Sequence, residues 1–199
     1  MLAADALRRE QAGDPQVVTW QIDRNVNITN VCISGCKFCN FHCKPHQSDK
    51  AYITTIEEYD AKILGDARFG WRPALVAGRV APEARHRFYE ELFRELKRRF
   101  PQLRLHALGA PEVAHIARIS RLDPETVLLR LIAAGLDPLP GAGAEILDNG
   151  VRRAISPGKP DADTWLRSDA HCAQTEPAYL GDDDVRPSRN PAATDRTPD

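Results

Sequence analysis

Between residues 88 and 99 the apolar side chains Phe88, Leu92 and Leu96 recur at helical spacing, with Phe93 and Phe100 beside them and charged residues between. That period predicts an amphipathic helix. Two more helices are expected where a proline or an acidic cap opens an apolar stretch: PEVAHIARIS from Pro111, and TVLLRLIAA after Asp123-Pro124-Glu125, ending at Gly135. Thr54 with Glu57 reads as a capping box, Thr54 being the N-cap. The β-branched runs VVTWQI, from Val17, and NVNITNVC predict extended segments, the second delivering Cys32 at its end. LRLHAL after Pro101 predicts a short strand, and LDPLPGAGAEIL a strand-like segment running into a Gly-rich turn. Residues 1–16 predict a short helix and a turn at Gly13-Asp14-Pro15, and residues 156–160 a loop. Strands and helices alternating with short links make the β/α unit of a parallel sheet.

Two stretches carry no such pattern. Residues 64–87 show neither period, and residues 168–199 are polar, rich in Pro and Asp, and without an apolar face, the composition of a disordered tail. The acidic run Asp182 to Asp184, within that tail, reads as a solvated patch.

Composition narrows the classes of partner. A net charge of −1 and a pI near 6.6 give no sign of nucleic-acid or polyanion binding. No apolar run approaches the roughly 18 residues of a membrane helix, and the polar N-terminus is no signal peptide, so a cytoplasmic protein is expected, where thiols stay reduced. At 199 residues the chain is short for a complete eightfold barrel, which takes about 250.

The chemistry concentrates at Cys32, Cys36 and Cys39. A Cys-x3-Cys-x2-Cys loop offers three thiolates and no fourth, so a four-iron cluster held there keeps one iron open. An open iron can chelate the amino and carboxylate groups of S-adenosylmethionine and cleave it to a radical. A zinc site completed by Cys43, His42 or His46 is the competing reading, although zinc ligands usually come as two separated pairs. A disulfide is disfavoured by the odd count of five cysteines.

The string DRNVNITNVCISGCKFCNFHCKPHQ, followed by LHALGAPEVAHIARIS, AAGLDPLPGAGAEIL and AISPGKP, closely resembles the cyclic dehypoxanthinyl futalosine synthases. These are radical S-adenosylmethionine enzymes of the futalosine route to menaquinone. The resemblance covers residues 17–63 and 88–167. Aminofutalosine synthase and the FO synthase subunits share the cysteine loop and the barrel, and stand as alternatives.

What the resemblance implies is an α/β fold, the N-terminal half of a TIM-type (β/α) barrel over residues 17–167, with an N-terminal arm over 1–16 and a disordered tail from 168. It implies a [4Fe-4S] cluster on Cys32, Cys36 and Cys39, and S-adenosylmethionine as the second cofactor. The substrate implied is dehypoxanthine futalosine, from whose ribose hydrogen is abstracted before ring closure, with a reducing donor such as flavodoxin or ferredoxin.

Phe38 matches an aromatic position that faces the adenine of S-adenosylmethionine, or else packs over the cluster to exclude water. Gly35 supplies a tight bend that turns backbone amides toward sulfur. Glu145, beyond the fourth barrel strand, can accept hydrogen bonds from ribose hydroxyls or the amino group, or else serves as a helix N-terminal acid. His106 could touch substrate from the lumen, though a lone strand histidine is more often structural. His115 is expected at the surface or in packing, and Cys43 has no role legible in the sequence. No general base can be named.

The family carries a Gln-Gly-Gly-Leu-His-Pro motif before FYEELF that residues 64–87 lack. With GC-rich codons, residues 77–87 can be written so that the frame one nucleotide on reads QGGLHPKLGID, and the same displacement turns the tail into family-like text. A reading frame displaced over 64–87 and lost near Arg167 is therefore expected. The rival outcome is an inactive fragment, at most a cluster-binding module.

Overall fold

The computed structural model describes residues 5–6, 9–10, 24–47, 49–67, 75–76, 80–137, 139 and 142–175. The chain divides into two compact units, Ile22–Pro177 and a second made of Met1–Gln21 with Ala178–Asp199. In the second unit residues 5, 6, 9 and 10 are helical, with Arg9 Nε 2.9 Å from Asp5 Oδ2. The VVTWQI segment and residues 176–199 lie outside the described residues.

The unit Ile22–Pro177 begins with β1 (Arg24–Asn25), which pairs in parallel with β2 (Leu75–Val76), Arg24 opposite Leu75 and Asn25 opposite Val76. Helix α1 (Ile56–Ala67) lies between them in sequence, as a parallel connection requires. The described residues beyond β1 and β2 are chiefly helical: α2 (His86–Arg99), α3 (Ala110–Ser120), α4 (Pro124–Ala133), α5 (Asn149–Ile155) and α6 (Ala162–Thr175). Helix α3 packs on α4 and α6, and α4 also meets α2 and α6.

The expected helices form for the expected reasons. Phe93 and Leu96 of α2 are buried, and the basic end Lys97-Arg98-Arg99 suits the helix dipole. Asp123 caps α4 by accepting from Thr126 N at 2.7 Å, and Gly135 follows its end at φ +110°, where a Cβ would stand 2.5 Å from Lys97 Cγ. One core joins Val26 and Ile28, Tyr59 and Ile63 of α1, α2, and the buried faces of α3 and α4.

Three expectations change. Helix α1 is capped one residue later than Thr54: Thr55 N donates to Glu58 Oε2 (2.8 Å), and Glu58 N to Thr55 Oγ1 (3.3 Å). Thr54 is instead buried, its hydroxyl donating to Asn27 O at 2.6 Å. LRLHAL keeps a strand's alternation, with Leu103, Leu105 and Ala107 buried, but it belongs to neither named strand. It is tied by Leu105 N to Asp137 Oδ2 (2.7 Å) and by Asp137 N to Leu105 O (3.1 Å). Helix α6 continues to Thr175, past the boundary at 168, with Trp165 and Ser168 both buried.

Candidate active site at the cysteine loop

The cysteine loop is held at its base and on its flank by backbone bonds. Cys32 N donates to Cys43 O (3.0 Å) and Cys43 N to Asn30 O (2.8 Å), so residues 30–32 and 43 pair across the loop. Below that pair, Asn30 joins residues 50–52 through Lys50 O (2.8 Å) and Tyr52 N (3.0 Å). On the flank, Ile33 N reaches Val80 O (3.1 Å) and Lys37 N reaches Ile155 O (2.8 Å), the end of α5. Gly158 N donates to Ser34 O at 2.9 Å, an approach so close that a Cβ on Gly158 would lie 2.3 Å from Ile33 O. Gly35 turns the loop at φ +59°, as its place between Cys32 and Cys36 suggested.

Cys32 and Cys39 are half-buried, Cys36 is buried, and all three thiols are free. The fourth thiol is engaged elsewhere: Cys43 Sγ donates toward Gln47 O (3.2 Å) and Lys44 O (3.5 Å). His42 Nδ1 donates to Cys39 O at 2.9 Å, so that nitrogen too is committed to the loop. Cys43, the fourth thiol of the zinc alternative, is thus spent on backbone bonds and gains the structural role its sequence position did not suggest.

Among the described residues no three His, Cys, Asp or Glu side chains already stand in a metal-holding array. The donor set fits an iron–sulfur cluster: three uncommitted thiols on one loop, with the fourth engaged elsewhere. Ser34 Oγ and Ser156 Oγ are buried and unpartnered beside it, as donors left for a later acceptor would be.

Phe38 and Glu145 come together through a residue that sequence reading left in a plain loop. Lys159 Nζ lies 2.6 Å from Glu145 Oε1 and 5.9 Å from the centre of the Phe38 ring, within cation–π reach. Phe38 is 56% exposed. Glu145 is not the helix acid, since Asp148 caps α5 by accepting from Val151 N (2.8 Å). Its backbone is left-handed, φ +45°, a strained state for a residue with a Cβ. His106 is half-buried, between the buried Leu105 and Ala107 of the segment 103–107.

A loop with three open thiols, an exposed aromatic ring and an adjacent ion pair suits a cofactor that combines a cluster, an aromatic base and charged ends. The sequence profile of the radical SAM superfamily matches residues 26–171. The chain belongs to this superfamily. Radical SAM enzymes use a [4Fe-4S] cluster and S-adenosylmethionine, act on a small-molecule substrate and need a reductant.

Three curated relatives place this radical SAM chain further. It is 41% identical over 165 residues to the cyclic dehypoxanthine futalosine synthase of Streptomyces coelicolor, covering 82% of this chain and 41% of that protein. It is 40% identical over 168 residues to the 5-amino-6-(D-ribitylamino)uracil–L-tyrosine 4-hydroxyphenyl transferase of Microcystis aeruginosa, covering 82% of this chain and 44% of that one. A transferase of the same name from Methanosarcina mazei is 41% identical over 164 residues, 82% and 41% covered. The chain spans less than half the length of these relatives. Among its described residues no helix is long and apolar enough to cross a membrane.

Proposed function

We propose that this chain is the N-terminal part of a futalosine-type cyclase, with Cys32, Cys36 and Cys39 as the cluster ligands. The identity to the Streptomyces coelicolor synthase supports the substrate, dehypoxanthine futalosine, and the parallel pair β1/β2 around α1 supports the opening of a (β/α) barrel. When bound, the cluster and S-adenosylmethionine supply hydrogen abstraction from the substrate after one-electron reduction, for which a flavodoxin or ferredoxin is a fitting donor. The chain's own share is positional. Phe38 offers its face to the adenine, and Glu145 and Lys159 exchange their mutual bond for the cofactor's amino and carboxylate groups. His106 remains a candidate for substrate contact from the segment 103–107.

The ion pair beside Phe38 carries this reading, because it joins two residues singled out for the same cofactor. The transferase relatives, at 40% and 41% identity, favour a second reading in which tyrosine and 5-amino-6-(D-ribitylamino)uracil are the substrates.

Anaerobic reconstitution with iron and sulfide, then reductant and S-adenosylmethionine with either substrate set, separates the two. Cyclisation of dehypoxanthine futalosine supports the first, and consumption of tyrosine supports the second. A chain that takes up iron and forms no 5′-deoxyadenosine is a cluster-binding fragment. The displaced frame over 64–87 is part of the proposal, and the coding DNA tests it: a +1 frame without QGGLHP removes it.

A further inference from the structure

Arg152 stands in the middle of the short helix α5, and its side chain is buried, the residue being 4% exposed; the Asp161 carboxylate feels its charge but accepts no hydrogen bond from it. Every bond it makes goes to a backbone carbonyl. Nη1 donates to Ala144 O and, at 3.0 Å, to Ile146 O, while Nε and Nη2 both donate to Pro160 O at 3.1 and 3.0 Å. The three acceptors are sequence neighbours of the ion pair. Ala144 and Ile146 bracket Glu145, and Pro160 follows Lys159.

A buried guanidinium costs desolvation energy, and here that cost is met by four hydrogen bonds with directional demands. Those demands fall on the two loops that flank α5, 142–148 before it and 156–160 after it, so the guanidinium ties the entry of its own helix to the exit. The same guanidinium holds the strained turn at Glu145, whose φ of +45° needs support from its surroundings. The loop 156–160 reaches the cysteine loop in turn, through Gly158 N to Ser34 O at 2.9 Å.

We propose that Arg152 is the positioning residue of the S-adenosylmethionine cradle, fixing Glu145 and Lys159 at one separation and one height above Phe38. It touches no cofactor itself. The inference rests on the reading that Glu145 and Lys159 meet the polar groups of S-adenosylmethionine, and it adds what sets their geometry. Lysine at 152 keeps the charge but is a single point donor, unable to span carbonyls on both loops.

The test is equilibrium dialysis of labelled S-adenosylmethionine against the cluster-reconstituted chain, with iron content and thermal melting followed in parallel. Glu145→Gln and Arg152→Lys are each expected to weaken binding roughly tenfold, the scale of one charge-assisted bond. In a background already carrying Glu145→Gln and Lys159→Met, Arg152→Lys is expected to add less than about twofold, as coupled residues do.

An unchanged affinity in Glu145→Gln defeats the reading of the cradle, and this proposal with it. Weakening in Glu145→Gln with none in Arg152→Lys defeats this proposal alone. So does an Arg152→Lys protein that loses iron along with affinity, or whose effect persists undiminished in the double background. Should Arg152→Lys not fold, exchange of the side-chain Nε–H in the wild-type chain decides: protection well beyond that of exposed Arg153 supports the clamp, and equal exchange overturns it.

Discussion

His115 Nε2 donates to the carbonyl of Ala81 at 3.0 Å, one residue beyond Val80, whose own carbonyl receives Ile33 N from the cysteine loop. A helix in the core is thereby linked to the loop that holds the thiols through a short piece of chain. The other ring nitrogen, Nδ1, accepts from Arg118 Nη2 at 3.1 Å, so a neutral imidazole satisfies both contacts.

Protonation would turn Nδ1 into a donor facing a guanidinium. Burial, and then Arg118, hold the His115 pKa below the ordinary histidine value of 6.5, and burial does the same at His86. The unfolded chain therefore binds more protons than the folded one in the window below 6.5, and stability rises with pH across it. Urea unfolding is expected to give a stability that is level above pH 7 and falls as pH drops below about 6.5, toward the folded-state pKa values. His115→Gln should flatten part of that slope, leaving the share of His86, and should cost about 1–2 kcal/mol at pH 7.5. A slope unchanged by the substitution would remove His115 from the account.

The two adjacent threonines at 54 and 55 make opposite demands. Thr55→Ala removes the reciprocal cap with Glu58 and should cost about 1 kcal/mol in a urea titration. Thr54→Ala opens a space in the core and orphans Asn27 O, so it should cost more, about 2 kcal/mol. Equal losses, or the reverse order, would return the cap to Thr54.

Those threonines also show where sequence reading stops. Thr54 and Thr55 each have a glutamate three positions on, so the capping signature fits either, and only the burial of Thr54 against Asn27 O chooses between them. Helices α2, α3 and α4 were legible because a period of apolar residues and a proline or acidic cap agreed locally. Lys159 and Arg152 were not, because their partners lie across turns whose geometry no period encodes; Arg152 looks like any arginine on a short helix. The polar composition after Arg167 likewise hid the last turns of α6, where small Ser168 is buried. The thiol loop, by contrast, was visible from spacing alone.

Within that loop the cysteines divide into three and one. Cys32→Ser, Cys36→Ser and Cys39→Ser should each abolish stable iron uptake and the visible absorption of a reconstituted cluster. Cys43→Ser should retain both, since its sulfur is spent on Gln47 O and Lys44 O, and should show only a modest loss in thermal stability. Iron lost equally from all four variants would mean that Cys43 is a ligand.

Glu90 is buried between two arginines, 2.6 Å from Arg130 Nε and 2.9 Å from Arg94 Nη2, and the Arg130 hydrogen bond is the main reason its pKa lies below the usual carboxylate value. A depressed carboxylate gives stability that is complete above its ordinary pKa and is lost as pH falls through the folded value. Glu90→Gln should therefore lower stability near pH 7 and shrink the acid-side decline below about pH 4.5. Because both arginines are more exposed than Glu90, the loss at neutral pH should stay near 1 kcal/mol and not reach the cost of an abandoned buried charge. Denaturant midpoints at pH 7 and pH 4 measure both effects.

Gly158 gives the last test, because its backbone meets the cysteine loop with no room between. A Cβ there would lie 2.3 Å from Ile33 O and 2.8 Å from Ser34 Cα, both backbone atoms that no side-chain rotation can move aside. Gly158→Ala must push the loops apart and stretch the bond from Gly158 N to Ser34 O. Lys159 is the next residue, so the ion pair with Glu145 should shift with it. The expected result is a loss of about 1–3 kcal/mol in stability together with weaker iron retention. Gly65→Ala is the matched control, since nothing lies within 4 Å of a Cβ there. If Gly158→Ala holds iron as well as Gly65→Ala does, the contact between the two loops is not what keeps the thiols in place.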